Sequence, residues 1–350
     1  MKQYMNSNWL LIFSLFLISC SKDEAGPPEP DPVSPEGEMV IEGGGQFYSK
    51  KVFVDLSENK QLSIDRTGWD LGFYTGTEFR VILNSSTGMM ARKLDKSDIT
   101  AVSAADTAGF IEEVSFNAFS TDALAYIDYP DGDLNKTAIA EISSNADDNK
   151  VYILNRGAGV GNPAPERGWK KIRVLRNSNG GYTLQHGDIN ATTFTEVQLE
   201  KSGDHYFRYV LFENGEVEVE PEKDKWDFAW TYFSNVTSFG GGEIPYPFQD
   251  FIITNRNVQT AMVKDSVLNF ENFVESDLNG LTFVGTQNSI GADWRAGGGP
   301  STAPAIRTDR YYIVKDANGN YYKIKFTSLT RDGERGYPSF EFKLVKKATS

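Results

Sequence analysis

"GWDLGFYTGTEF", Gly68–Phe79, and "KWDFAWTYFSNV", Lys225–Val236, are two spellings of one phrase, and their shared pattern decides the fold. Each runs Trp-Asp, then an apolar, a small and an aromatic residue. In a strand, alternate side chains share a face, which places Trp69, Leu71 and Phe73 together and Trp226, Phe228 and Trp230 together. Asp70 and Asp227 then fall on the opposite face, free to bond a nearby turn. The bland reading of the phrase is therefore a strand fitted to a core.

The surroundings of the two copies also match. Upstream of each lies an apolar strand, "VFVDL" (Val52–Leu56) and "YVLF" (Tyr209–Phe212). Downstream comes an apolar strand ending in Asn, "RVILN" (Arg80–Asn84) and "FIITN" (Phe251–Asn255), and later an Asn-Gly hairpin. The two tryptophans stand 157 residues apart. Propeller blades recur at about 40–50 residues, so the pair marks an internal duplication and not a propeller. The repeat predicts two β modules, 39–200 and 201–350.

Strand signals dominate elsewhere. "KVYIL" (Lys150–Leu154), "KKIRVL" (Lys170–Leu175) and "RYYIV" (Arg310–Val314) are β-branched and aromatic. "RNSNGGY" and "KDANGNY" place Asn-Gly between alternating strands, as hairpin turns require. Short helix starts are expected at Lys96–Ile99 and Asn269–Phe273. The fold class is all-β, sandwich-like, with few short helices.

The N-terminus reads as an address. Trp9–Ile18 is an apolar run too short to span a bilayer, as in a signal peptide covering 1–20. It ends at Leu17-Ile18-Ser19-Cys20, which resembles a lipobox, and Cys20 is the only cysteine. Lipidation of Cys20 would anchor the chain without spanning the membrane. Residues 21–38, rich in Pro and acid, read as a flexible tether. The net charge of −13 supplies no basic stripe for nucleic acid.

The Trp-Asp phrase, the lipobox followed by Lys22-Asp23-Glu24, and the closing stretch Arg310–Val345 resemble the HmuY-like haem-binding surface lipoproteins of Bacteroidetes. The resemblance implies an all-β protein that takes haem between two axial side chains for iron acquisition. It also implies haem or haemoproteins as partners, hand-over to an outer-membrane TonB-dependent transporter, and an outer-membrane, surface-exposed location. A ligand His follows the phrase in the best-known members, where this chain has Tyr74 and, in the second copy, Thr231. Tyr74 can ligate haem iron, and so can thioether and imidazole.

Few soft donors are available, so each can be weighed. Besides Met39, they are Met89 and Met90 in "TGMMARK", Met262 in "TAMVKD", His186 in "TLQHGD" and His205 in "GDHYF". Methionine more often fills a core, His186 shares a strand face with Tyr182 and Leu184, and His205 follows an exposed turn. Asp131, Asp133 and Asn135 alternate as in a calcium loop, but Lys136 stands where its glycine should be. "GAGVGNPAP" (Gly157–Pro165) has prolines where a phosphate-binding helix would start, so it reads as a loop. No nucleophile elbow, zinc-protease motif or nucleophilic Cys is legible, so the chain reads as a binder and not an enzyme. The rims expected around the ligand are Ser238–Phe248 and Arg295–Pro304. The other reading is an interaction or glycan-binding lipoprotein that kept the fold without haem, using Tyr246 and Trp294.

Overall fold

The computed structural model describes residues 33–110, 120–297 and 302–349, with residues 1 and 114. Cys20 and most of the expected tether lie outside the described residues. Residues 33–350 form one compact unit, and it is all-β. Within it the strands gather around two cores.

The first core belongs to an inserted lobe that is continuous in sequence. Its strands are β4 (Leu71–Tyr74), β5 (Val81–Leu83), β6 (Met90–Lys93), β7 (Tyr152–Asn155), β8 (Trp169–Arg176), β9 (Tyr182–Asp188), β10 (Thr195–Leu199), β11 (Phe207–Leu211) and β12 (Gly215–Val217). They form a five-stranded sheet, β10-β9-β8-β7-β6, and a four-stranded sheet, β12-β11-β4-β5. Leu71, Phe73, Leu154, Ile172, Tyr182, Leu199 and Val210 meet between them.

The outer lobe surrounds that insertion. It uses β1 (Glu36–Val40), β2 (Lys50–Asp55) and β3 (Lys60–Asp65) from before it, and the rest from after it. These are β13 (Phe228–Ser238), β14 (Glu243–Thr254), β15 (Gln259–Lys264), β16 (Arg295–Ala296), β17 (Ala305–Ile306), β18 (Arg310–Lys315), β19 (Tyr321–Arg331) and β20 (Glu334–Lys346). Again there is a five-stranded sheet, β1-β20-β19-β18-β15, and a four-stranded one, β14-β13-β2-β3; β16 and β17 pair separately. Val52, Val54, Phe228, Trp230, Tyr322 and Phe340 fill this core.

The two sheet orders are the same plan written twice, but with exchanged strands. The upstream strand of the first copy, β2, pairs with the Trp-Asp strand of the second, β13. The upstream strand of the second copy, β11, pairs with the Trp-Asp strand of the first, β4. The seam expected near residue 200 is therefore displaced. Val210 and Phe212 close the first core from beyond it, and Met39, Val52 and Val54 close the second from before it. β1 also begins at Glu36, inside the expected tether, because Glu36–Val40 has β20 to pair with.

The exchange stacks four layers, with the four-stranded sheets back to back in the middle. This explains why β2 is buried on both sides. Val52 and Val54 face the outer core, while Phe53 faces the seam with Trp69, Trp226, Tyr206, Phe207 and Tyr209. The seam repeats one contact: Phe53 meets Trp226 edge-on at 5.0 Å, and Tyr209 meets Trp69 edge-on at 4.9 Å. Each such pair contributes about 0.5–1.5 kcal/mol beyond burial alone. Both tryptophans thus leave the face of Leu71 and Phe73, or of Phe228 and Trp230. Each precedes its strand, so the alternation does not reach it. Helical structure is limited to short 3₁₀ turns, one of them capped by Asp98 as expected; Asn269–Phe273 is a turn, and the helix begins at Glu275.

Candidate functional site

The aspartates of the repeated phrase are structural fasteners. Asp70 is fully buried and accepts a bidentate pair from the Arg156 guanidinium, at 2.9 Å to each oxygen. Arg167 lies 2.9 Å from the same carboxylate, and the Phe212 amide donates to it at 3.0 Å. Asp227 accepts the equivalent amide bond, from Leu56 at 2.8 Å, but has no arginine. Burial, then the nearby Asp316 and Asp55 carboxylates, hold its carboxyl well above the usual range.

An asparagine completes each knot. The Asn84 carboxamide donates to the Arg66 and Trp69 carbonyls, and that of Asn255 to the Lys223 and Trp226 carbonyls, all at 2.8 Å. The Asn84 amide bonds the Asp70 carbonyl, and the Asn255 amide that of Asp227. The Asn at the end of "RVILN" and "FIITN" is thus the partner of the Trp-Asp turn.

The expected haem ligands are not brought together. Met89 is 1% exposed in the inserted core, and Met90 is buried in a separate cluster with Ile99, Phe110 and Ile153. Met262 points outward from β15, 43% exposed, because Ala261 and Val263 take the inner face. His186 is buried against the Phe212 ring at 5.1 Å, and burial, then Lys170, lowers its affinity for a proton. His205 is half-buried beside Phe207 and Glu216, and its carbonyl accepts the Thr75 hydroxyl. Tyr74 is half-buried against Phe207, with Arg256 over its ring. Thr231, at the second ligand place, is fully buried and shares a hydroxyl hydrogen bond with Ser86 at 3.1 Å.

Other expectations resolve plainly. Trp294 is not an exposed platform: it is 1% exposed, stacked on Phe326, and its indole N–H donates to the Asp250 carbonyl. Tyr246 is half-buried in a row of rings with Phe239 and Phe248 on the β13–β14 hairpin. The calcium-like loop is already neutralised, since the Lys136 ammonium lies 2.5 Å from Asp131 and 3.7 Å from Asp133. Among the described residues no cluster of His, Cys, Asp and Glu is arranged to hold a metal ion.

A cleft does open at one edge of the seam, with a volume of about 490 Å³. Ligand pockets typically span about 300–1,000 Å³. The outer lobe contributes Phe47, Tyr48 and Tyr232, and the inserted lobe contributes Gly88 and the loop at Gly159–Ala164. Phe47 is 42% exposed, and the Tyr48 and Tyr232 rings lie 6.5 Å apart. Arg66 holds the walls in place. Its guanidinium donates to the carbonyls of Tyr48, Ser86 and Gly159, and it lies 5.0 Å from the Tyr232 ring. Gly157 lets the loop approach: its φ is 70°, and a Cβ there would sit 1.9 Å from the Thr87 carbonyl oxygen.

The cleft offers aromatic faces, with the phenols of Tyr48 and Tyr232 among them. Burial, then Asp250, pushes the Tyr48 phenol up to about 12, and burial also raises Tyr232, so both keep their protons at neutral pH. Sequence reasoning missed this site. Its residues come from widely separated stretches of the chain, and nothing local marks the loop Gly157–Pro165 as a cleft wall. The described residues of the rims expected at Ser238–Phe248 and Arg295–Pro304 do not line it, and residues 298–301 of the second rim lie outside the described residues.

No curated protein matches the chain. Among solved structures, the apo form of PinO from Porphyromonas gingivitis is similar, at 12% identity and a TM-score of 0.33, covering 89% of this chain and 97% of that one. The apo HmuY analog TFO of Tannerella forsythia is similar at 12% identity and a TM-score of 0.32, covering 91% and 100%. At those values neither carries a residue's role across. The family model described as HmuY protein matches residues 47–342, from the cleft's Phe47 through both Trp-Asp knots to β20. The chain with the twice-written phrase belongs to the HmuY family.

Proposed function

We propose that this chain captures haem or a related porphyrin in the seam cleft, gripping the macrocycle by its faces. The observation that carries this reading is the cleft walled by Phe47, Tyr48 and Tyr232 in a chain of the HmuY family. Flat apolar rings stack on aromatic side chains, and an offset or edge contact adds about 0.5–1.5 kcal/mol per ring. Neither Met89, Met90 and Met262 nor His186 and His205 take part. The chain binds and releases its cargo without breaking a bond. Lipidated through Cys20 at the outer-membrane surface, it passes porphyrin to a TonB-dependent transporter for iron acquisition.

Haemin titration of the chain tests this. The expected result is a Soret change saturating near one equivalent, with the midpoint raised about tenfold in Phe47→Ala and in Tyr232→Ala. No Soret change in either oxidised or reduced conditions contradicts the proposal and returns the chain to an interaction or glycan-binding role.

A further inference from the structure

A second cavity, of about 70 Å³, lies inside the seam between the two Trp-Asp phrases. Its size suits roughly two waters or one small oxyanion. What distinguishes it is a surplus of donors. Trp69, Trp226, Tyr206 and Arg256 all line it, and each carries a buried N–H or O–H with no acceptor among the described residues. Lys51, also in the wall and 8% exposed, makes no hydrogen bond among the described residues, though the Glu220 carboxylate acts on its charge. Its ammonium rests 4.8 Å from the Phe53 ring and 5.8 Å from that of Trp69.

None of these four donors reaches the acidic groups of the wall, each of whose oxygens holds one other donor. Glu220 accepts the Phe207 amide at 2.8 Å and the Tyr209 hydroxyl at 2.9 Å, one on each oxygen. Asp128 accepts the Leu83 amide at 2.6 Å and the Ala138 amide at 2.9 Å, again one on each. Buried polar groups in folded proteins are nearly always paired, so several orphan donors around one space call for an acceptor-rich occupant. Part of the wall is the partly exposed turn Tyr129–Thr137.

We propose that the seam cavity binds a small oxyanion of the carboxylate class, held by the Lys51 ammonium, the Trp69 and Trp226 indole N–H groups, the Tyr206 hydroxyl and the Arg256 guanidinium. The site joins the two copies of the repeated phrase, so the ligand fastens the inserted lobe to the outer one. It is independent of the porphyrin cleft.

Thermal unfolding in sodium acetate against sodium chloride at equal ionic strength tests the site. For the unaltered chain the midpoint should rise with acetate and level off, while chloride has no such effect. Trp226→Phe keeps the ring against Phe53 and removes the N–H, and should weaken the acetate response about threefold. Lys51→Met should weaken it tenfold or more. If Lys51→Met does not fold, the Trp226→Phe comparison decides. Identical acetate and chloride curves for the unaltered chain overturn the proposal. So does a crystal structure grown in acetate whose cavity holds only water.

Discussion

Asp70 and Asp227 hold the same place in the same phrase, one in each half of the repeat, yet they are built to opposite electrostatics. Each receives one backbone amide from the exchanged upstream strand, Phe212 for Asp70 and Leu56 for Asp227. Around Asp70 the chain added Arg156 and Arg167. Around Asp227 there are two more acids, Asp55 and Asp316, and burial first, then their charges, push its carboxyl up. The pair shows that the knot requires a hydrogen-bond acceptor, and that charge is optional. The two knots share a geometry and differ in charge.

The largest effect expected from this contrast is in Asp70→Asn. It takes the buried carboxylate from Arg167 and leaves Arg156 with only the half-exposed Glu213, 2.7 Å away, and breaking a buried pair from one side costs about 3–5 kcal/mol. Urea unfolding should show that loss at neutral pH, whereas Asp227→Asn should cost under about 1 kcal/mol, since the carboxamide oxygen still accepts the Leu56 amide and no paired arginine loses its counter-ion. Equal losses would break the comparison.

The asparagines should behave alike where the aspartates differ. Asn84→Ala and Asn255→Ala each remove two carboxamide bonds to carbonyls. Each should cost about 2–3 kcal/mol, and the two values should agree within about 1 kcal/mol. A large gap between them would mean that the knots are not equivalent.

The smallest effect sharpens the contrast through pH. A carboxyl raised in the folded state contributes stability that is full below the unfolded value, near 3.8, and is lost as pH rises through the folded value. Asp227→Asn removes that loss, so the variant should gain on the parent chain between pH 4 and 8. Chemical unfolding at several pH values reads the trend, and a variant that instead loses ground as pH rises would reverse the assignment.

The strands were largely legible in the sequence, and the partnership between them was not. "VFVDL" and "YVLF" stand out by composition, but nothing local says that each pairs with the Trp-Asp strand of the other copy. That information lies in the complementarity of whole sheet faces. Phe53 on β2 has a use only because the exchange creates a seam for it to fill. The outward turn of Met262 was readable, since Ala261 and Val263 flank it on the apolar face. The burial of Met89 and Met90 in two different clusters was not, because it depends on which loops cover β6. The cleft was least legible of all. Phe47, Arg66, Gly159 and Tyr232 become neighbours only after the two lobes are stacked.

The central claim is that the cleft recognises the porphyrin face, not its iron. Parallel titrations with haemin and metal-free protoporphyrin IX test this most directly. The account predicts dissociation constants within about threefold of each other, both weakened by Tyr232→Ala. A preference of a hundredfold or more for haemin, abolished by replacing Met262 or His205, would contradict it.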